Sequence, residues 1–480
     1  MMWLIARKTL HQTFTDIKFI VAAVFVISLF FIGGLVSIQR HDQLARDYRE
    51  QQIAARNESD LEGIFLVKPP HPLDFICMGK WSFLPKVFRI GPEGIEVIAL
   101  EVAHHSFLPA YDDLDWTTLI TIFMSLLAIF VAHQVVSAER EDGTLRLLLS
   151  YPVQRSTYLI GSLLGLMGFV FVPLFIGFSL SLLVITLSPI YHLEVDQWIA
   201  ILWVIFYALV YVTLFIILGG LVSTLCKQSS TALIWLLFFW VVFIVIIPGQ
   251  GGILAALIEP TPLRRDEITQ VEYIRQNYKL PILDYHALMK AAIEGGGTEA
   301  AIQRKLNRLR DRIVTEQRRR IEHRNRLVAA VHDDFTHRRL RQMRLARLTT
   351  IVSPAVLFQE AIESLLVAGY HDHAQFLEAV RAYRAACLRS FAQARQRHVS
   401  ERRPRIKWIV TYAGYTLSGV AEWQYGGIKP DVDLFPRFAY ARPLVKRTLA
   451  SSLWKVFVLT TLSVVTLAMA LIVFSRYDVR

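Results

Sequence analysis

Six long apolar runs, at 17–38, 116–136, 159–187, 198–225, 231–247 and 453–474, constrain this chain more than any other feature. A helix crossing a bilayer needs roughly 20 mostly apolar residues, because lipid offers no partner to a free backbone amide or carbonyl. Each run qualifies as a transmembrane helix. The third and fourth are long enough to tilt or to extend beyond the bilayer. The first does not read as a cleavable signal: its apolar core is too long and no small-x-small site follows.

Of the 480 residues 54% are hydrophobic, yet 19% are charged. That mixture predicts membrane spans joined to water-exposed parts. The net charge of +12 admits nucleic acid, anionic lipid or the Lys/Arg bias of membrane topology. The short loops separate these. Arg7, Lys8 and Lys18 precede or enter the first run; Arg140, Arg146 and Arg155 lie between the second and third; Lys227 follows the fourth; Arg476 and Arg480 follow the sixth. The stretch 188–197 has no Lys or Arg. The positive-inside rule then puts both termini in the cytoplasm and segments 39–115 and 248–452 outside it, in the periplasm if the membrane is a bacterial inner membrane. Trp116, Trp198 and Trp454 fall at span ends, where indoles favour the interface; Trp203, Trp235 and Trp240 lie deeper and read as packing residues. Cys77, Cys226 and Cys387 are too scattered for a disulfide framework or a zinc site, although a Cys77–Cys387 bridge stays open.

Segment 39–115 begins with a charged helix-like run and becomes rich in Pro and Gly; "GIEVIALEV" alternates like a strand, so the segment reads as a small α+β module. Segment 248–452 reads as mainly helical. Between 301 and 350 there is no Pro or Gly, and Ile302, Leu306, Leu309 and Ile313, then Ile321, Val328 and Phe335, recur as in a coiled-coil seam. The stretch reads as one or two long helices: a continuous one would reach roughly 75 Å, and a compact domain favours breaking it into an antiparallel pair. It carries 15 Lys/Arg against 5 Asp/Glu. A solvated face is the first reading, anionic lipid or a charged partner the second; nucleic acid fits poorly without a recognition motif. Ser353-Pro354 opens another helix with Ser353 as N-cap, and one more covers about 373–397. "YHDHAQF", with His371 and His373, reads as a polar interhelix loop.

The phosphate-cradling G-x-x-x-x-G-K-[ST] sequence does not occur, nor do H-E-x-x-H or G-x-S-x-G. The chain therefore offers no catalytic residue, no cofactor ligand and no metal ligand of its own. The spans hold almost no ionisable side chains, which disfavours a proton relay; His133 near the end of the second reads as interfacial or helix-bonded. Gly161, Gly165 and Gly168 have the small-residue spacing that permits close helix packing.

Between the second and third runs lies "SAEREDGTLRLLLSYPVQRSTYLIG", residues 137–161. Glu139, Glu141 and Asp142 gather before Gly143-Thr144, Leu145 and Leu148 supply an apolar surface, Pro152 breaks the segment and Arg155 leads into the next run. With no nucleotide loop in the chain, such a segment is what a partner ATPase could grip. It resembles the first cytoplasmic loop of type-2 ABC transporter permeases, matching at Glu139, Glu141, Gly143, Thr144, Leu145, Leu148, Pro152, Val153, Arg155, Tyr158, Gly161 and Ser162.

The resemblance implies an all-α polytopic membrane protein with six transmembrane helices. It divides the chain into an interfacial connector helix at 1–16, where Trp3, Leu4, Leu10 and Phe14 lie among cations, the six spans, a coupling helix loop at 137–158 and the two outer segments. It implies a separate ABC ATPase, two copies of which hold ATP and Mg, together with a second permease copy or homologue and the lipid bilayer. The insertion between the fifth and sixth spans departs from the minimal pattern; related permeases occur in gliding-motility and cofactor-maturation systems. Two functions follow: an ATP-driven exporter, or a machine that transmits ATPase strokes to periplasmic partners without moving a substrate.

Overall fold

A computed structural model of the chain describes residues 1–59, 63–77, 85–91, 94–98, 114–150, 154–260, 264–278, 290–291, 299–401, 407–412, 415–420 and 435–476. Six helices in it are long and apolar enough to cross a membrane: Ile17–Asn57, Trp116–Glu141, Arg155–Leu187, Val195–Leu225, Ser229–Ile258 and Val445–Ser475. The fold is that of an all-α polytopic membrane protein. The helices outrun the apolar runs. The first continues without a break to Glu58, so its 42 residues reach about 63 Å at 1.5 Å each, twice the hydrocarbon thickness.

The fourth helix, Val195–Leu225, is the hub. It packs on the second, third, fifth and sixth. Tyr207 bonds Ser452 of the sixth at 2.8 Å, and Tyr211 donates to the Thr121 carbonyl at 3.1 Å. Thr121 lies in a π-helical stretch, Leu119–Met124, where the widened turn exposes carbonyls to side chains. The fifth helix has a similar stretch, Val241–Ile246, and Ser353 donates to its Phe243 carbonyl. Trp116 does begin the second span, as sequence placed it, but it is buried there and donates to Ser181 at 2.9 Å. Trp235, read as a packing residue, is half exposed on the fifth helix.

The insertion between the fifth and sixth spans returns into the bundle. Helix Pro354–Leu366 has Ser353 as its N-cap and Pro354 in its first turn. It packs on the fourth and sixth spans, and its Phe358 stacks on Tyr211 at 4.6 Å. Val367 (φ 51°) and Gly369 (φ 57°) turn the chain so tightly that the next helix, Gly369–Glu401, starts at once. "YHDHAQF" is therefore the opening of that helix and not a loop. The stretch 301–350 is one continuous 52-residue helix, Glu299–Thr350, and not an antiparallel pair. Its apolar seam, with Val328 and Phe335 buried, is covered by other parts of the chain: Ile247–Ile258, Arg264–Asn277 and the strand Gly94–Ile98. With its seam already covered and no Pro or Gly inside it, nothing forces the helix to fold back.

Outside the bundle lies a three-stranded antiparallel meander in the order β1-β2-β3: β1 Ile64–Val67, β2 Val87–Gly91 and β3 Gly94–Ile98. Phe88 of β2 packs on Phe376 of helix Gly369–Glu401 at 5.4 Å, the centre of a second small core. A hairpin of β4 (Lys407–Tyr412) and β5 (Tyr415–Val420), not expected from sequence, follows that helix. Cys77 and Cys387 are both free; one lies in the large core and the other in the small one.

Candidate coupling site

Within the second span, Trp116–Glu141, the continuous helix stops at Ala132 and His133–Val136 forms a turn. Its freed amides are recovered. Ser223 of the fourth helix accepts from the N–H groups of Val136 and Ser137, both at 3.0 Å. His133 bonds the Phe130 carbonyl through Nδ1 at 2.7 Å, a helix-bonded histidine. Two short helices follow, Ser137–Glu141 and Thr144–Ser150. Gly143 joins them at φ 72°, a conformation that costs any side-chain-bearing residue about 1 kcal/mol. A Cβ there would meet nothing within 4 Å, so backbone strain alone sets that cost.

The charged residues of this segment hold other parts of the chain. Glu139 pairs with Lys8 of the N-terminal helix at 3.2 Å and accepts from the Thr144 hydroxyl. Arg140 donates to the Cys226 and Thr224 carbonyls at 2.5 and 3.1 Å, capping the end of the fourth helix. Glu141 accepts from Ser229 N at 3.0 Å and Ser229 Oγ at 2.6 Å, where the fifth helix begins. Arg155 donates to the Ser475 carbonyl at 2.8 Å, at the end of the sixth. Cations thus sit on helix C-termini and an anion on an N-terminus, the favourable sense for both dipoles. Of the leucines, Leu145 is 2% exposed inside the main core, Leu148 packs half-buried against it, and Leu147 is 66% exposed. Asp142, Gly143 and Thr144 also face outward. Pro152 lies outside the described residues.

The N-terminal helix Met2–Thr15 lies against the third span. The glycine stripe is its seat: a Cβ on Gly161 would fall 2.9 Å from the Met2 carbonyl oxygen, and one on Gly165 2.5 Å from that of Ala6. Phe14 meets Phe169 edge-on at 4.9 Å. Trp3 and Leu4 stay largely exposed.

At the opposite end of the bundle, charges are buried that sequence reasoning missed. Arg347, near the end of the long helix, pairs with Glu360 at 2.8 Å and with Glu363. Lys455 of the sixth span lies 3.5 Å from Glu360 and donates to the Ser364 hydroxyl and the Glu360 carbonyl. Glu363 is 1% exposed. The available signals were Lys455 inside an apolar run and two glutamates at i and i+3 in "SPAVLFQEAIESLL".

Fold and site together define an integral, multi-pass membrane protein in which one short polar segment is bonded to several helix ends. The family model for ABC-2 family transporter proteins matches residues 3–479, and the chain belongs to that family. It is similar to the probable ABC transporter permease protein NosY of Pseudomonas aeruginosa, 39% identical over 74 residues. That match takes in 15% of this chain and 27% of NosY, so the chain spans about a quarter of that relative's length.

Proposed function

We propose that the chain is the membrane permease of an ABC exporter, driven by a separate ATPase that docks on Thr144–Ser150. One observation carries this reading. The segment shows Asp142, Gly143, Thr144 and Leu147 outward, while Glu139, Arg140, Glu141 and Arg155 bond it to the N-terminal helix and to the ends of the fourth, fifth and sixth spans. A push on the exposed face therefore reaches four helices at once. In this reading the segment and both termini are cytoplasmic, the membrane is a bacterial inner membrane, ATP and Mg belong to two ATPase copies, and a second permease completes the assembly.

Force transmission is the second reading. It is favoured by the continuous helix Glu299–Thr350, about 78 Å long, whose Arg347 connects through Glu360 to Lys455 of the sixth span. A stroke that moves that span would swing the helix among periplasmic partners.

The test is co-purification with a co-expressed candidate ABC ATPase, followed by hydrolysis assays in nanodiscs. The permease alone should hydrolyse no ATP. Glu139→Lys with Glu141→Lys should insert normally but bind the ATPase more weakly or leave hydrolysis uncoupled. Unchanged assembly and coupled activity would remove the docking assignment. Export of a tracer would separate the two readings.

A further inference from the structure

The long helix Glu299–Thr350 buries the face that carries Val328, His332 and Phe335 against other segments of the chain. Its opposite face is basic. Lys305, Arg308, Arg312, Arg319, Arg326 and Arg344 are exposed there, and none of the six pairs with a described residue. At about 100° per residue they fall within a sector of about 60°, on the side away from the buried seam. Off that line the described arginines are engaged: Arg320 with Glu316, Arg338 with Asp334, Arg339 with Glu267 and Arg347 with Glu360. Arg341, at the edge of the line, reaches Glu259. The unpaired positive charge of the helix is thus gathered on one straight face.

Four of these cations form a regular row. Lys305, Arg312, Arg319 and Arg326 stand seven residues apart, about 10.5 Å along the axis, and the row covers about 32 Å. Seven residues is also the interval at which a second helix returns the same face to its neighbour.

The row lies at the end of the helix remote from the spans. A Cβ on Gly251 of the fifth helix would strike Ala346 and Thr350. Farther out Glu259 meets Arg341, Glu267 meets His332 and Arg339, and Tyr278 meets His323, so the two strands of chain run antiparallel away from the bundle. Arg326 is about 36 Å along the helix from Thr350, a distance that disfavours lipid headgroups around the spans. Phe335 is the only Phe, Tyr or Trp in the helix and it is buried, so nucleic-acid bases and sugar rings find no aromatic face to stack on. An anionic partner that matches evenly spaced charges on a straight line is a helix with an acidic face of its own.

We propose that the row at 305–326 docks an acidic helix of a partner protein, whose carboxylates recur every seven residues opposite the four cations. Complementary charge of this kind sets register and speeds encounter more than it adds affinity. The proposal gives the force-transmission reading a partner chemistry, but docking needs no stroke and stands without the exporter reading.

The test uses the full chain in phosphatidylcholine nanodiscs, without ATPase or ATP. The probe is a labelled synthetic helix of about four heptads with glutamates along one face of each, read by fluorescence anisotropy. The control peptide has the same composition with its glutamates spread around the helix. The striped helix should bind saturably, about ten-fold or more tighter than the control, and should weaken as salt is raised. Arg312→Glu with Arg319→Glu should weaken it about ten-fold or more. Arg320→Glu with Arg338→Glu changes the net charge equally but off the line, and should leave binding within about two-fold. Both variants should melt with the wild type, since all four side chains are exposed. An equal loss in the two variants, equal binding of the two peptides or no binding would overturn the proposal. Capture of phosphatidylglycerol vesicles through Arg312 and Arg319, without binding of the striped helix, would overturn it in favour of lipid.

Discussion

The two ends of the bundle carry charge in opposite ways. At the coupling end, Glu139 and Glu141 bond to a lysine, hydroxyls and one amide near the surface, where water screens and competes. At the far end, Arg347, Glu360, Glu363 and Lys455 are withdrawn from water and depend on one another. Surface pairs contribute at most about 1 kcal/mol, whereas removing one partner of a buried pair costs roughly 3–5 kcal/mol because the other charge is stranded. The bonds of Glu139 and Glu141 are thus cheap to break and re-form, as the proposed docking requires. The far end holds one arrangement firmly, which suits an element that fixes the position of the long helix.

The strongest attempt to break this contrast is Glu363→Ala. It strands part of the Arg347 guanidinium and should destabilise the protein by about 3–5 kcal/mol, read as a lowered unfolding midpoint in nanodiscs. Combining it with Arg347→Met leaves the Lys455–Glu360 pair intact and should recover much of the loss. A mild effect from the single change would mean that water reaches the network.

Two neighbouring leucines sharpen the view of the coupling end. Leu145→Ala opens a space in the main core and should cost about 2–5 kcal/mol. Leu147→Ala, on the exposed side, should change stability by less than about 0.5 kcal/mol yet reduce ATPase binding. If Leu147→Ala left binding intact while Leu148→Ala abolished it in a protein that still folds, the docking face would have to be redrawn around Leu148.

Between the two ends in expected size is a pH effect in the outer module. His71 and His373 both have pKa values lowered to about 4, chiefly by burial, against an ordinary 6.5. Each is neutral when folded, and protonation favours the unfolded chain. Their contribution is therefore complete above about pH 6.5 and is lost as pH falls toward 4, by roughly 2–3 kcal/mol for each residue. Melts across that window should show the decline, and His71→Gln should flatten it. A flat wild-type profile would place both imidazoles in contact with water.

Gly143→Ala should cost little stability, about 1 kcal/mol, because only the backbone objects. A loss of ATPase binding out of proportion to that cost would locate the docking surface at the turn itself.

Much of this molecule was legible in its residues. Apolar length marked six helices, because a bilayer imposes a minimum run and forbids free backbone groups. Ser353-Pro354 marked a helix start through local chemistry alone, and "GIEVI" marked a strand through alternation. The polar segment between the second and third spans was legible as a break in the apolar pattern, but the bonds of its side chains were not. Glu141 and Ser229 are 88 positions apart, and Arg155 and Ser475 are 320 apart. No periodicity links residues at such distances.

The tertiary structure alone decided three matters. It settled which face of the leucine-rich helix turns inward, since Leu145 and Leu147 are alike in chemistry and differ only in what surrounds them. It assigned the long helix's seam to segments of its own chain, where a heptad pattern would accept any apolar partner. It also carried helix Pro354–Leu366 back among the spans, together with the carboxylates that meet Arg347 and Lys455. Sequence determines what each stretch can tolerate, namely lipid, water or a turn. The partner that satisfies each exposed charge or apolar face is a property of the whole packed chain, since it depends on residues brought together from far apart.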